Sequence, residues 1–283
     1  MPLSYSVCTT RRPGLLPNVP AGLDELKWVP TSSILVSGFH DAVLVDVPLT
    51  VAKTQEVVDF VLSSGKNLKY IYITHPHGDH YFGLSVVLAA FPNARAIATS
   101  EAVKLMAAEI QREKDGEGCW HARFGNELPT ELALPSALDA DEFKLEGETL
   151  QVIRTGHTDT DETSALWIPS IELVICGDAV YNGVYPYVGE GGTKALRDQW
   201  RAALDKIAAL KPKFVVGGHY DPTKDHSPSA IEYTRQYLDA LERVNPETKT
   251  VEEFYYKMLD LFPGRINPGS LWGAVNTLKK EMA

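Results

Sequence analysis

At 283 residues, 44% hydrophobic and 23% charged, the chain has the make-up of a globular protein that can bury a sizeable core without disulfides. Its formal net charge of −10 argues against a general binder of phosphate backbones, so no nucleic-acid partner is expected. Cys8, Cys119 and Cys176 are odd in number and far apart, which fits neither a disulfide framework nor a paired-cysteine metal site. No run approaches the ~18 apolar residues of a membrane span. The opening Met1–Ser6 lacks a basic segment followed by an apolar stretch, so no signal peptide, no membrane partner and a cytoplasmic location are expected.

Residues 1–30 carry several prolines and no clear period, and are expected to form an irregular arm. Ser32–Ser37 and Asp41–Asp46 read as two strands joined by a short loop. Pro48 and Thr50 open a helix that runs to Ser64, with Gly65 as its stop. Leu68–Ile73 is apolar, β-branched and aromatic, hence a buried strand. Tyr81–Ala90 reads as an apolar helix, Ala94–Ala98 as a strand, and Ser100–Glu113 as a helix. Residues 114–142 show little period and are expected as an irregular excursion. Three strands follow at 145–154, 164–168 and 171–176, then a helix over 193–210 and a strand over 213–216. A periodic helix spans 227–244 with Ser227 as its N-cap, and helices near 250–261 and 269–281 close the chain. No glycine-rich linker divides it, so a single domain over 1–283 is expected, with 246–283 as a helical extension.

Between the strand at 68–73 and the helix after it lies Thr74-His75-Pro76-His77-Gly78-Asp79-His80. Four side chains able to bind a metal fall within six residues, too close to serve one ion from a tight turn. Two ions relieve the crowding, one on His75 and His77, the other on Asp79 and His80. Each then needs ligands from elsewhere. His157, Asp178 and His219 each follow a predicted strand, with a glycine one or two places before that lets the backbone turn sharply. Taken singly, a histidine beyond a strand is more often a packing or surface residue than a ligand. A solvated polar loop does not account for two histidine pairs around an aspartate. Imidazole and carboxylate donors suit zinc and similar divalent ions.

This Thr-His-Pro-His-Gly-Asp-His stretch resembles the HxHxDH signature of the metallo-β-lactamase-fold hydrolases. His157, Gly177-Asp178 and Gly218-His219 are similar to that superfamily's later metal motifs, in the same order. The likeness covers about residues 30–225 and implies an α/β fold: an αββα sandwich of two mixed sheets flanked by helices. It further implies one ion on His75, His77 and His157, a second on Asp79, His80 and His219, and Asp178 bridging them. The aspartate at 178 resembles lactonases and glyoxalase II-type thioesterases more than β-lactamases, which commonly carry a cysteine there or no ligand. Tyr181, three residues on, sits where the quorum-quenching lactonases place a tyrosine on the substrate carbonyl; a packed aromatic at the sheet edge is the competing reading.

The expected activity is therefore hydrolysis of a cyclic ester or cyclic amide, with two divalent ions, zinc first among them, as cofactors. Asp79 and Tyr181 are the candidate catalytic residues, and a small molecule is the expected substrate. A thioesterase is the alternative, and a non-catalytic metal-binding protein the remaining one. Asp46 either supports a ligand histidine or caps the next helix. His40, His121 and His226 are expected at the surface, Cys176 in the core, and residues 221–226 in a polar loop near the site mouth. Trp120, Tyr185, Tyr187 and Trp272 either line an aromatic pocket or anchor their segments, and the last helices are candidates for a lid or a homodimer contact.

Overall fold

The computed structural model describes residues 2–11, 29–138 and 140–280. Two sheets stack face to face. The first has the order β1 (Ser4–Thr10), β2 (Thr31–Ser37), β3 (Asp41–Val45), β4 (Asn67–Tyr72), β5 (Arg95–Thr99) and β6 (Ser136–Leu138). Its first three strands pair antiparallel and the rest parallel. The second sheet runs β7 (Glu142–Leu145), β8 (Glu148–Gly156), β9 (Thr163–Ile168) and β10 (Leu173–Ile175) as an antiparallel meander, with β12 (Phe214–Val216) parallel to β10. A small parallel pair, β11 (Tyr181–Asn182) and β13 (His219–Tyr220), stands apart.

The alternation of side chains along each strand explains the layering. In β2 and β3, Ile34, Val36, Val43 and Val45 point to the inner layer, where they meet Leu150, Val152, Leu166 and Ile175 of the second sheet. Leu35, Ala42 and Leu44 point the other way, onto α1 (Val51–Ser63), α2 (Leu84–Ala90) and α3 (Ser100–Lys114). Both faces are buried, so these strands read as continuous apolar runs. Beyond the second sheet, Val174, Cys176 and Val215 pack with Trp200 of α5 (Lys194–Ala209) and Leu238 of α6 (Ser229–Val244). Phe254 of α7 (Val251–Leu261) and Leu271 of α8 (Pro268–Lys280) complete that layer. The result is the expected αββα sandwich. Among the described residues no helix is long and apolar enough to cross a membrane.

Several expectations need correction. Within the supposed irregular arm, Ser4–Thr10 is strand β1, paired along its whole length with β2; residues 12–28 lie outside the described residues. Its small polar residues hide the alternation that Tyr5 and Val7 carry. The helix after the histidine motif begins at Leu84, because Gly78–His80 is a 3-10 turn that holds Tyr81 back from it. The 114–142 excursion contains α4 (Trp120–Phe124) and β6, elements too short for a periodic signal. The strand expected at 145–154 is a hairpin split by Glu146 and Gly147, both at positive φ. Ser227 lies one residue before Pro228, the residue flanking α6, yet its hydroxyl still accepts from Ser229 N–H at 3.3 Å.

Candidate metal centre

Each expected ligand lies just past the C-terminal end of a strand or in the short pair beside it, where loops of α/β sheets gather. The loop after β4 carries His75 to His80, that after β8 carries His157, that after β10 carries Asp178, and β13 opens on His219. Thr74 joins the two sheets: its carbonyl accepts from Ser164 N–H (2.9 Å) and Ser164 Oγ (2.8 Å) of β9, and Tyr72 OH then donates to Ser164 Oγ (2.7 Å). Glycines give the close approaches. A Cβ at Gly218 would lie 2.3 Å from Asp178 Oδ1 and 2.8 Å from His80 Cε1, and one at Gly177 would lie 2.5 Å from Thr74 Oγ1.

The histidines share a pattern of hydrogen bonding that fixes which nitrogen faces inward. A carboxylate or carbonyl only accepts, so the ring nitrogen beside it carries the proton. His80 Nδ1 donates to Asp46 Oδ2 (3.0 Å), leaving Nε2 toward Asp178 Oδ1 (3.3 Å) and His219 Nε2 (3.3 Å). His219 Nδ1 donates to Pro30 O (2.7 Å), leaving Nε2 3.0 Å from Asp178 Oδ2 and 3.5 Å from Asp79 Oδ2. His157 Nδ1 donates to Asp161 (2.7 Å). Thr74 Oγ1 donates to Asp46 Oδ2 (2.7 Å) and so accepts from His75 Nδ1 (2.8 Å). His77 has a carboxylate at each nitrogen, Glu190 Oε1 2.9 Å from Nε2 and Asp159 Oδ2 2.8 Å from Nδ1, so without a cation both can donate. Outer acceptors of this kind orient metal-binding histidines and raise their basicity.

Asp46 is the hub of that outer layer. It is fully buried, holds a left-handed backbone (φ +59°) at the end of β3, and also accepts from Thr74 N–H at 2.8 Å. Thr50, not Asp46, caps α1. Of the two readings of Asp46, support of a ligand histidine is the one its contacts match.

The inner atoms have few partners of their own. His75 Nε2, His157 Nε2, Asp159 Oδ2 and Asp178 Oδ1 are all buried without a hydrogen bond. Buried polar atoms left this way are costly, and a cation is the group that satisfies lone pairs and carboxylates together. The residues present therefore fit divalent metal. Three clusters bring ligand atoms within 4.8 Å of one another: His75, His77, Asp159 and Asp178; Asp46, His75 and His80; and Asp79, His80 and His219.

Charge in the site is balanced locally. Burial opposes a proton on His80, but Asp178, Asp79 and Asp46 outweigh it and raise its pKa to about 10. Burial is likewise overcome at His77 by Asp159 and Glu190, and at His219 by Asp178, so both are raised. Burial and the neighbouring His80 lower His75. Burial pushes Asp178 up, yet His219 and His80 hold it well below the usual carboxylate range. Tyr181 is raised well above an ordinary phenol, by burial first and by Asp178 next, so it stays protonated and donates to Asp178 Oδ2 at 2.6 Å.

Of the expected ligands, His75, His77, Asp79, His80, Asp178 and His219 come together in these clusters, whereas His157 belongs to none of them. Sequence reasoning missed Asp159 and Glu190. Nothing flags Asp159 except its place two residues after His157, and Glu190 sits in a loop 113 residues from the histidine it binds. Tyr187 lies with its ring centroid 5.8 Å from that of His77, and Trp120 covers Gly78 and Phe82, so both stand at the site. Tyr185 instead donates to Phe262 O, and Trp272 packs on Tyr255, away from it. His121 is tied to Glu113 and His226 to Tyr5, while Glu146 holds the backbone N–H of His40. Cys176 is buried, as expected.

The chain is similar to known proteins over most of its length. The profile of the metallo-beta-lactamase superfamily matches residues 26–219. The chain is 23% identical over 226 residues to a Bacteroides fragilis protein named metallo-beta-lactamase type 2, covering 77% of this chain and 79% of that one. It is 26% identical over 214 residues to the Caenorhabditis elegans beta-lactamase-like protein 2 homolog, covering 74% of this chain and 61% of that protein. Among solved structures, a metallo-beta-lactamase family protein from Thermus thermophilus matches with a TM-score of 0.63 at 21% identity, over 98% of this chain and 94% of the other. A metallo-beta-lactamase from Pontibacter korlensis matches at 0.58 and 18% identity, over 83% and 94%. These structural likenesses show a shared fold.

Proposed function

This chain belongs to the metallo-beta-lactamase superfamily, and from that premise we propose that it is a hydrolase using two divalent ions, zinc in the first instance, to open a cyclic ester or cyclic amide. One observation carries the reading: buried imidazole nitrogens and carboxylate oxygens converge without partners, each histidine fixed from behind by an acceptor. Metal held there supplies Lewis-acid chemistry, polarising a carbonyl and making water acidic enough to serve as nucleophile near neutral pH.

The chain's own residues do the rest. His75, His77, His80, His157, Asp79, Asp178 and His219 would supply the donors for two ions, and the two oxygens of Asp178 face His80 and His219. Tyr181 keeps its proton and donates it to Asp178; released from that bond, the hydroxyl would be a donor for an oxygen that gains charge as a carbonyl is attacked. Asp79, with an oxygen 3.5 Å from His219 Nε2, is placed to steer the nucleophile or to carry a proton to the leaving group. Trp120 and Tyr187 give the entrance an aromatic wall suited to a compact, apolar ring. An aspartate at 178 with Tyr181 bonded to it, the pairing that resembles the lactonases, favours lactones over lactams.

The test is acid release, followed by pH-stat, from matched lactones, lactams and thioesters with metal-loaded and chelator-treated protein. Chelator-sensitive turnover of the cyclic esters is the expected result. Turnover confined to thioesters would replace this substrate class, and no turnover across the panel with two ions bound would reject it.

A further inference from the structure

The loop after β8 turns tightly at His157–Asp161: Thr158 N–H donates to Thr160 O at 2.9 Å, which brings Asp159 inward. Asp159 is wholly buried, and Thr158 Oγ1 donates to its Oδ1 at 2.8 Å, which aims Oδ2 at the histidine pair. That oxygen lies 2.8 Å from His77 Nδ1 and 3.6 Å from His75 Nε2. Glu190 occupies the far side of His77, with Thr160 Oγ1 donating to the same carboxylate at 2.6 Å, so in the neutral ring the Nδ1 lone pair faces Asp159. Thr74 does the same for His75 from its Nδ1 side. Two inward ring nitrogens and one carboxylate oxygen thus converge, and His75 Nε2 is buried with no hydrogen bond at all. In the neutral rings that ligation requires, these are acceptors turned on one another out of reach of water, an arrangement that a cation relieves in place of a proton on His77.

We propose that Asp159 is a ligand of the ion held by His75 and His77, an addition to the donor set read from the sequence. The inference rests on the metal-dependent reading above. Asp159 and Asp178 lie in the same cluster as His75 and His77, so Asp159 would bring a second carboxylate to the imidazoles at that position. Such a donor set is harder than a three-histidine one, and shifts preference toward oxygen-seeking ions such as Mn2+ relative to Zn2+. It also explains why Glu190, at the site's edge, bonds both His77 and the Thr160 hydroxyl: it braces the ring and the loop that carry two of the donors.

The experiment is diffraction at the zinc edge from crystals of the full chain loaded with Zn2+, together with metal counting and chelator competition on wild type, Asp159→Asn and Asp159→Ala. The expected result is an Asp159 oxygen about 2.0–2.2 Å from one of two ions. Both variants are then expected to bind that ion at least ~10-fold more weakly, while the ion on His80 and His219 stays. Two ions with both Asp159 oxygens beyond the first coordination sphere would overturn the inference and leave the hydrolase reading standing. No bound ion in the wild type would overturn both. The wild-type map decides the matter even where a variant fails to fold.

Discussion

The Tyr181 hydroxyl donates to Asp178 Oδ2 at 2.6 Å, and the same oxygen stands 3.0 Å from His219 Nε2. One phenol therefore touches the carboxylate that lies between the two histidine groups. If it also meets the substrate, Tyr181→Phe should lower kcat by roughly 10²–10³-fold, as loss of an oxyanion donor does, with metal content unchanged. A fall in metal affinity with normal kcat at saturating metal would assign Tyr181 to holding Asp178 alone.

Asp46 makes three hydrogen bonds from within the core: to Thr74 N–H, Thr74 Oγ1 and His80 Nδ1. Asp46→Asn keeps the shape but turns an acceptor into a donor beside His80, which favours the wrong tautomer of that ring. Metal affinity should fall by about 10–100-fold in a chelator competition, with activity returning as free metal is raised. Activity that stays lost at saturating metal would give Asp46 a different role.

How much of this was legible follows from how local each feature is. The Thr74–His80 stretch is contiguous, and its histidines sit where a strand gives way to a turn, so residue type and spacing alone expose it. His157, Asp178 and His219 are signalled by the glycine before each, and the close packing at Gly177 and Gly218 shows the physical need behind that signal. The apolar runs of β2 and β3 exposed them as strands, but the sandwich itself was expected only from the family resemblance that the Thr74–His80 motif carries. Asp159 and Glu190 were not, because only the folded loops bring them to His77, and a carboxylate in a polar loop looks the same whether it faces water or a buried ring. Strand β1 escaped because its pairing to β2, not its own apolarity, makes it a strand.

Gly218 leaves no room for a side chain, since its Cβ would stand 2.3 Å from Asp178 Oδ1. Its carbonyl accepts from Ser32 N–H and its own N–H donates to Gly177 O, so the backbone cannot back away. Gly218→Ala should push Asp178 out of place, lowering metal stoichiometry and turnover together. Far-UV circular dichroism should stay that of the wild type. Full metal binding in this variant would show that the loop yields more easily than its hydrogen bonds indicate.

Away from the site, Glu146 closes the loop between β2 and β3. Its carboxylate accepts from the backbone N–H groups of Phe39 (2.7 Å), His40 (2.6 Å) and Asp41 (2.8 Å), which lowers its pKa from 4.5 to about 2. A carboxyl depressed on folding stabilises the native state above its unfolded pKa, and that contribution is lost as pH falls through the folded value. Glu146→Gln should therefore lower the denaturant midpoint at pH 7. The gap to wild type should narrow between about pH 4.5 and 2, where the native carboxylate takes up its proton. The contribution is modest because the side chain is exposed and screened by solvent. Equal midpoints at pH 7, or a gap that widens on acidification, would mean that the three N–H groups are served as well by water as by the carboxylate.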